Sequence, residues 1–207
     1  MNSKAATPIA FVHTVVQAYR RRGMDAAAAL RQAQITPALL KRPQALITAR
    51  QMEVLCGAAM RELDDEALGW FSRRLPWGSY GLLARASLSA PDLGVALKRW
   101  CRHHRLLTDD ISVQLVVAGG TATLSIQQHD GFVTGGGMRE LCLVSTLRNA
   151  HGFACWLIDS RITMHEVAFP FPAPAHRAAY ALMFPAPVTF DATQARLSFD
   201  AMYLALP

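Results

Sequence analysis

Charge is scarce in this chain. Asp, Glu, Lys and Arg make up 17% of its 207 residues, against 52% hydrophobic residues. That ratio excludes a disordered or linker-like polypeptide and points to one substantial packed core. Long apolar runs are missing too: no segment approaches the roughly 20 uninterrupted residues that a membrane-crossing helix needs. The opening MNSKAATPIAFVHTVV has one lysine, no long apolar region and no obvious cleavage site. No export signal is read there, and the cytoplasm is the expected location. Cysteine is sparse, with Cys56, Cys101, Cys142 and Cys155 far apart and no CxxC pair. Each sits in an apolar helical pattern, where a free thiol behaves as a small hydrophobe.

Enzyme signatures are also lacking. There is no nucleophile elbow, no P-loop and no dinucleotide fingerprint. Gly135-Gly136-Gly137 has neither the lysine nor the hydroxyl of a phosphate-transfer loop. Its two readings are a turn entering a helix, and a small anion site at Gly136 and Gly137 with Arg139 beside it. Cys101, His103 and His104 do not make a metal site, because adjacent helical histidines point about 100° apart and zinc needs three or four converging ligands. No cofactor is expected.

The net charge of +6 is unevenly placed. Residues 1–105 carry 16 Lys/Arg against 7 Asp/Glu, whereas residues 106–207 carry 5 against 8. A basic first half suits an acidic partner: an anionic ligand, a DNA flank, or an acidic face of a dimer mate. Outside Arg20-Arg21-Arg22 the cations are scattered, which argues against a nucleic-acid stripe.

Periodicity gives the order of elements. Pro8 precedes a helical stripe of Ile9, Val12, Val15, Val16 and Tyr19 that ends near Gly23. Asp25 caps a second helix over 26–33, residues 35–40 make a short helical piece, and Thr48 opens a helix to about Leu63. After the Pro76-Trp77-Gly78 turn, helices are predicted over 80–88 and from Pro91 to the His103-His104 pair. Ile111–Val117 and Thr121–Gln127 alternate around Gly119-Gly120, a β-hairpin. A long helix follows over 138–158. A strand then runs to Phe169, Pro170, Pro172 and Pro174 stop its ladder, and a short helix, a short strand and a packed tail complete the chain. The expected class is α+β: a helical part over 1–64, then a mostly antiparallel sheet packed against helices over 65–207, all in one compact domain.

The candidate site residues follow from chemistry rather than from a motif. Trp70, Trp77, Tyr80 and Trp100 concentrate large aromatics within thirty-one residues. Such rings pack cores, and they also line pockets for organic effectors. Trp77, Tyr80 and Trp100 are placed at a pocket, with Arg73, Arg74 and Arg85 as nearby partners for a carboxylate. His104 shares the inward stripe of Leu93, Leu97 and Trp100. On the long helix Ser145, Asn149 and Trp156 share a face with Met138 and Cys142.

Two stretches resemble a known family. Pro174, His176, Tyr180, Phe184, Pro187, Phe190, Asp191, Phe199, Asp200, Leu204 and Pro207 stand in the arrangement that ends the effector-binding module of AraC-type transcription regulators. Residues 76–110 and the helical opening resemble the same module. The resemblance implies a sensory, dimerising domain for a small-molecule effector and a separate helix-turn-helix DNA-binding domain, which this polypeptide is expected to lack. The basic half and the aromatics suggest an organic acid, an amino acid or a related catabolite as effector. They also suit the stacked bases and phosphates of a cyclic dinucleotide. Two other readings stand beside this one: a small enzyme using His104 as general base on an anionic metabolite, and an oligomerisation scaffold that binds no ligand.

Overall fold

A computed structural model describes residues 5–132 and 135–207. The first helix, α1 (Ile9–Arg21), buries Ile9, Phe11, Val12, Val15, Ala18 and Tyr19 along one stripe. Asp25 accepts the Ala27 N–H at 3.0 Å just before α2 (Ala27–Gln32), and Thr36 caps the single turn of α3 (Pro37–Leu40). The next helix, α4 (Ala49–Glu62), is opened by a reciprocal box: Gln51 N–H donates to the Thr48 hydroxyl oxygen at 3.1 Å and Thr48 N–H donates to Gln51 Oε1 at 3.0 Å.

Ahead of α1 and α4 lie two short strands, β1 (Ala5–Pro8) and β2 (Leu46–Thr48), which pair antiparallel. The sequence reading has no strand there, because three or four residues carry no measurable alternation. The pairing makes the start of α1 and the start of α4 neighbours.

Between α4 and the main sheet come α5 (Ser79–Ser87) and α6 (Leu93–His104). Helix α6 starts at Leu93 rather than at Pro91, because the Asp92 carboxylate accepts the Val95 N–H at 2.7 Å and so occupies the cap itself. The sheet has the order β3-β4-β7-β5-β6, with β3 (Ile111–Ala118), β4 (Thr121–Gln128), β5 (Met164–Ala168), β6 (Val188–Thr189) and β7 (Ala195–Asp200). All neighbours are antiparallel except β5 and β6. Gly119 and Gly120, with φ of 54° and 78°, form the two-residue turn that sets the Ile111–Gln128 to Ala118–Thr121 register.

Across the middle runs α7 (Gly136–Leu157), which buries Leu141, Cys142, Leu143, Val144 and Leu147 around its centre. Burial is nearly all-round here, so the helix is a central strut rather than an amphipathic surface helix. The proline-rich turn leads to a 3₁₀ turn, Arg177–Ala179, and to α8 (Tyr180–Met183), where one continuous helix is predicted from sequence. Phe169, Phe171, Tyr180, Phe184 and Phe190 pack together there, with Tyr180 and Phe184 stacked at 6.1 Å. After β7 the chain makes a second 3₁₀ turn, Ala201–Ala205, and the Leu206 carbonyl accepts the Leu93 N–H at 2.8 Å. The tail therefore closes the start of α6. The apolar core runs unbroken from α1 and α4 into the sheet and α7, so the α+β arrangement is built on one interior.

Candidate functional site

Three consecutive acids, Asp64, Asp65 and Glu66, anchor the segment that shapes the site. Asp65 is 1% exposed; its Oδ1 accepts N–H groups from Ala67 and Leu75, and its Oδ2 accepts the Gly69 N–H and the Arg22 guanidinium at 2.6 Å. Glu66 accepts the Gly78 and Tyr80 N–H groups, each at 2.7 Å, at the entrance of α5. Asp64 accepts the Trp77 N–H at 3.2 Å. These bonds satisfy backbone donors that a buried loop would otherwise orphan, and they fix the Trp77–Tyr80 turn beside α7.

A groove lies between α4 and α7. Its upper part, about 320 Å³, is walled by Met52, Cys56 and Met60 of α4 and by Leu141, Val144, Ser145, Arg148 and Asn149 of α7, with Phe11, Leu68 and Trp70 between them. Its lower part, about 470 Å³, is bounded by Glu66, Trp77, Tyr80, Trp100, Gly152 and Phe153, and shares Met60, Arg148 and Asn149 with the upper part. Phe153 stacks on Trp100 at 4.4 Å, and Tyr80 lies 6.3 Å from Trp100. The lining is mostly apolar, with the Arg148 guanidinium and Asn149 amide common to both parts. The Ser145 and Thr7 side chains and the Glu53 carboxylate (paired with Arg50 at 3.1 Å) lie on the upper part, and the Glu66 carboxylate on the lower.

The structure brings Trp77, Tyr80, Trp100, Ser145 and Asn149 together along this groove. It does not bring the other candidates there. His104 is fully buried; its Nε2 lies 3.4 Å from the Tyr80 hydroxyl and its ring meets Phe71 edge-on. Burial lowers its pKa to about 4 and keeps it neutral, so it stands behind Tyr80 as support and does not line the groove as sequence reasoning placed it. Arg85 is exposed on α5 and folds back over Gly81. Arg73 is committed to the Leu106 and Leu107 carbonyls beyond α6. Trp156 is exposed and stacks on the outer side of Phe153.

Arg139, Gly136 and Gly137 sit at the far end of α7. Arg139 donates to Gln128 Oε1 at 2.7 Å and to the Pro170 carbonyl at 3.2 Å. Gly136 and Arg139 border a small cleft together with the Glu140 carboxylate, Phe171 and Pro172. Glu140 accepts from the Tyr180 hydroxyl at 2.6 Å and is paired with His176 at 2.7 Å. A carboxylate and a spent arginine leave little for an incoming anion, and Gly137 is small because Thr14 presses against it.

Sequence reasoning missed Arg148, the methionines of α4 and Glu66. Arg148 borders the upper and lower groove and a further cleft with His151 and Arg161. Among the described residues no carboxylate lies within ion-pair distance of it. A single arginine on a 22-residue helix carries no signal in sequence; only the packing of α4 opposite α7 reveals it. No group of three or more His, Cys, Asp and Glu side chains converges among the described residues. Burial pushes the Cys56 and Cys101 thiols up to about 12, so both stay protonated and neither supplies a thiolate nucleophile or ligand. No helix among the described residues is long and apolar enough to cross a membrane.

Residues 23–207 match the family model of the arabinose-binding domain found at the N-terminus of AraC transcription regulators. The chain is similar to the ornithine utilization regulator of Pseudomonas aeruginosa, with 25% identity over 201 residues, 97% of this chain and 58% of that protein. It thus spans little more than half the length of that curated relative. The crystal structure of the transcriptional regulator CdpR from Pseudomonas aeruginosa aligns over 90% of this chain and 56% of its own, with 20% identity and a TM-score of 0.49.

Proposed function

Because the chain belongs to the family of arabinose-binding domains of AraC transcription regulators, we propose that it is a sensor whose α4–α7 groove holds a small organic effector by its carboxylate. The observation that carries this reading is Arg148: a solvent-accessible guanidinium with no ion-pair partner among the described residues, at the rim shared by both parts of a largely apolar groove of ligand size. A carboxylate meets it with two parallel N–H···O bonds. The Asn149 amide and Ser145 hydroxyl flank it and orient the remaining polar groups of the ligand, while Met52 and Met60 adapt to its apolar part. The effector is an organic acid, an amino acid or a related catabolite; the name of the ornithine utilization regulator favours the amino acid.

In the whole protein this domain works in the cytoplasm, as a homodimer, and controls a DNA-binding domain that lies outside this chain. Effector binding does so only by favouring one domain arrangement over another, which requires different affinity for the two. The effector is bound and released unchanged. The enzyme reading loses support because His104 is enclosed and does not border the groove.

Isothermal titration of the chain against a panel of organic acids, amino acids and neutral sugars tests this. At least one carboxylate is expected to bind, with affinity falling about tenfold or more in Arg148→Gln, the loss of one charge-assisted contact. Binding by neutral sugars alone, or carboxylate binding unaffected by Arg148→Gln, would overturn it.

A further inference from the structure

Resting on the carboxylate reading above, we propose that the lower groove is a cation subsite, so that the effector class is an amino acid with a second, positively charged end. The key juxtaposition is between two opposite charges that line one cavity without being paired. Arg148 and Glu66 both border the lower groove. Among the described residues, neither forms an ion pair with the other or with any other side chain. A cavity that keeps a cation and an anion apart is complementary to a ligand carrying the reverse pair at matching separation.

Glu66 is 6% exposed, and each of its oxygens accepts one backbone N–H, from Gly78 and from Tyr80. Each oxygen keeps accepting capacity after that. These two bonds at the start of α5 stabilise the carboxylate without a side-chain countercharge, and an arriving ammonium would add one. The rings around it suit the same guest. Trp77, Tyr80 and Trp100 line the cavity, and cations are drawn to aromatic faces, tryptophan most of all. Trp77 already takes a cation, since the Arg61 guanidinium carbon lies 5.2 Å from its ring centroid. Trp100 is held in place by Phe153, stacked behind it at 4.4 Å.

Gly152 adds an independent sign. It lies in the interior of α7 with no left-handed φ, and a Cβ built on it would meet nothing within 4 Å. A mid-helix glycine weakens a helix, and neither packing nor backbone geometry asks for one here. It lines the lower groove, where a bare backbone leaves room for the connecting chain of a ligand between Arg148 and the rings.

The test uses matched probes: 4-aminobutanoate, 5-aminopentanoate and 6-aminohexanoate against butanoate, pentanoate and hexanoate. Binding to the 207-residue chain is followed by calorimetry and by tryptophan emission. The amino form of at least one length is expected to bind about fivefold or more tightly than its plain carboxylate, the scale of a partly desolvated cation–ring contact. Trp77→Ala, at a half-exposed position that leaves the core intact, should bring the pair to within about twofold. Glu66→Gln should do the same if the loop keeps its fold, judged by unchanged near-ultraviolet dichroism. Equal binding of each matched pair would overturn the cation subsite and leave the Arg148 reading standing. A preference that survives both Trp77→Ala and Glu66→Gln would also overturn it. Binding of neither series, or binding indifferent to Arg148→Gln, would overturn both.

Discussion

Gly137 lies so close to Thr14 that a methyl group on its α-carbon would stand 2.6 Å from the Thr14 hydroxyl oxygen. That hydroxyl is not free to leave, since it donates to the Ala10 carbonyl at 3.1 Å within α1. The glycine therefore sets how tightly α1 crosses α7. Gly137→Ala should destabilise the chain by about 1–3 kcal/mol, the usual range for overpacking. Thr14→Ala in the same chain should recover most of that loss, because it removes the atom in the way. Urea unfolding of the two single variants and the double variant gives the coupling directly. Equal losses with and without Thr14 would show that the contact is not the cause.

Asp65 is the other buried point on which the site rests. Removing its carboxylate leaves three loop N–H groups without an acceptor and Arg22 without its partner. Asp65→Ala is expected to cost about 3–5 kcal/mol, the scale seen when one member of a buried charged cluster is removed. Asp64→Ala, which loses a single contact to the Trp77 N–H, should cost about 1 kcal/mol. Similar melting temperatures for the two variants would mean that Asp65 does not organise the loop.

How much of this is legible in the sequence depends on the range of the interaction. The β3–β4 hairpin is legible because Gly119-Gly120 and the flanking alternation are adjacent in the chain. The Thr48 helix start and the inward turn of His104 are legible for the same reason, since their periods are local. Strands β1 and β2 are too short to show a period, and their pairing links residues some forty positions apart. The acids Asp64, Asp65 and Glu66 carry no local pattern that marks burial, yet two of them are buried because the loop curls around them. The aromatics Trp77, Tyr80 and Trp100 are recognisable by density alone. Arg148 and the α4 methionines become groove walls only through the placement of α4 against α7, which no local pattern encodes. The same limit misplaced His104 and Arg85, whose helices turn them behind and away from the groove.

The buried His104 links stability to pH. Its pKa falls from 6.5 in the open chain to about 4 in the fold because burial disfavours the imidazolium; the Tyr80 hydroxyl and the Phe71 ring beside it bring no compensating negative charge. Above about pH 6.5 the group is neutral in both states and has no effect. As pH drops from 6.5 towards 4 the unfolded chain takes up a proton that the native one does not, and stability declines by up to about 3 kcal/mol. Below 4 both forms are protonated and this contribution is constant. His104→Gln should flatten the loss between pH 6.5 and 4, measured as unfolding free energy across that window. An unchanged slope would place the proton uptake elsewhere.

Gly152 separates stability from binding. Alanine at this position meets no neighbour and needs no unusual backbone angle, so the helix should gain about 0.5–1 kcal/mol. That gain appears as a rise in melting temperature of a few degrees for a chain of this size. Gly152 is itself one of the residues that border the lower groove, so larger side chains here test whether that space is used. Gly152→Leu carries the argument further: it should fold at least as well as Gly152→Ala while excluding any ligand that passes α7 at that level. If Gly152→Leu is stabilised and still binds every ligand that the parent binds, the space is not used, and the glycine has no role in recognition.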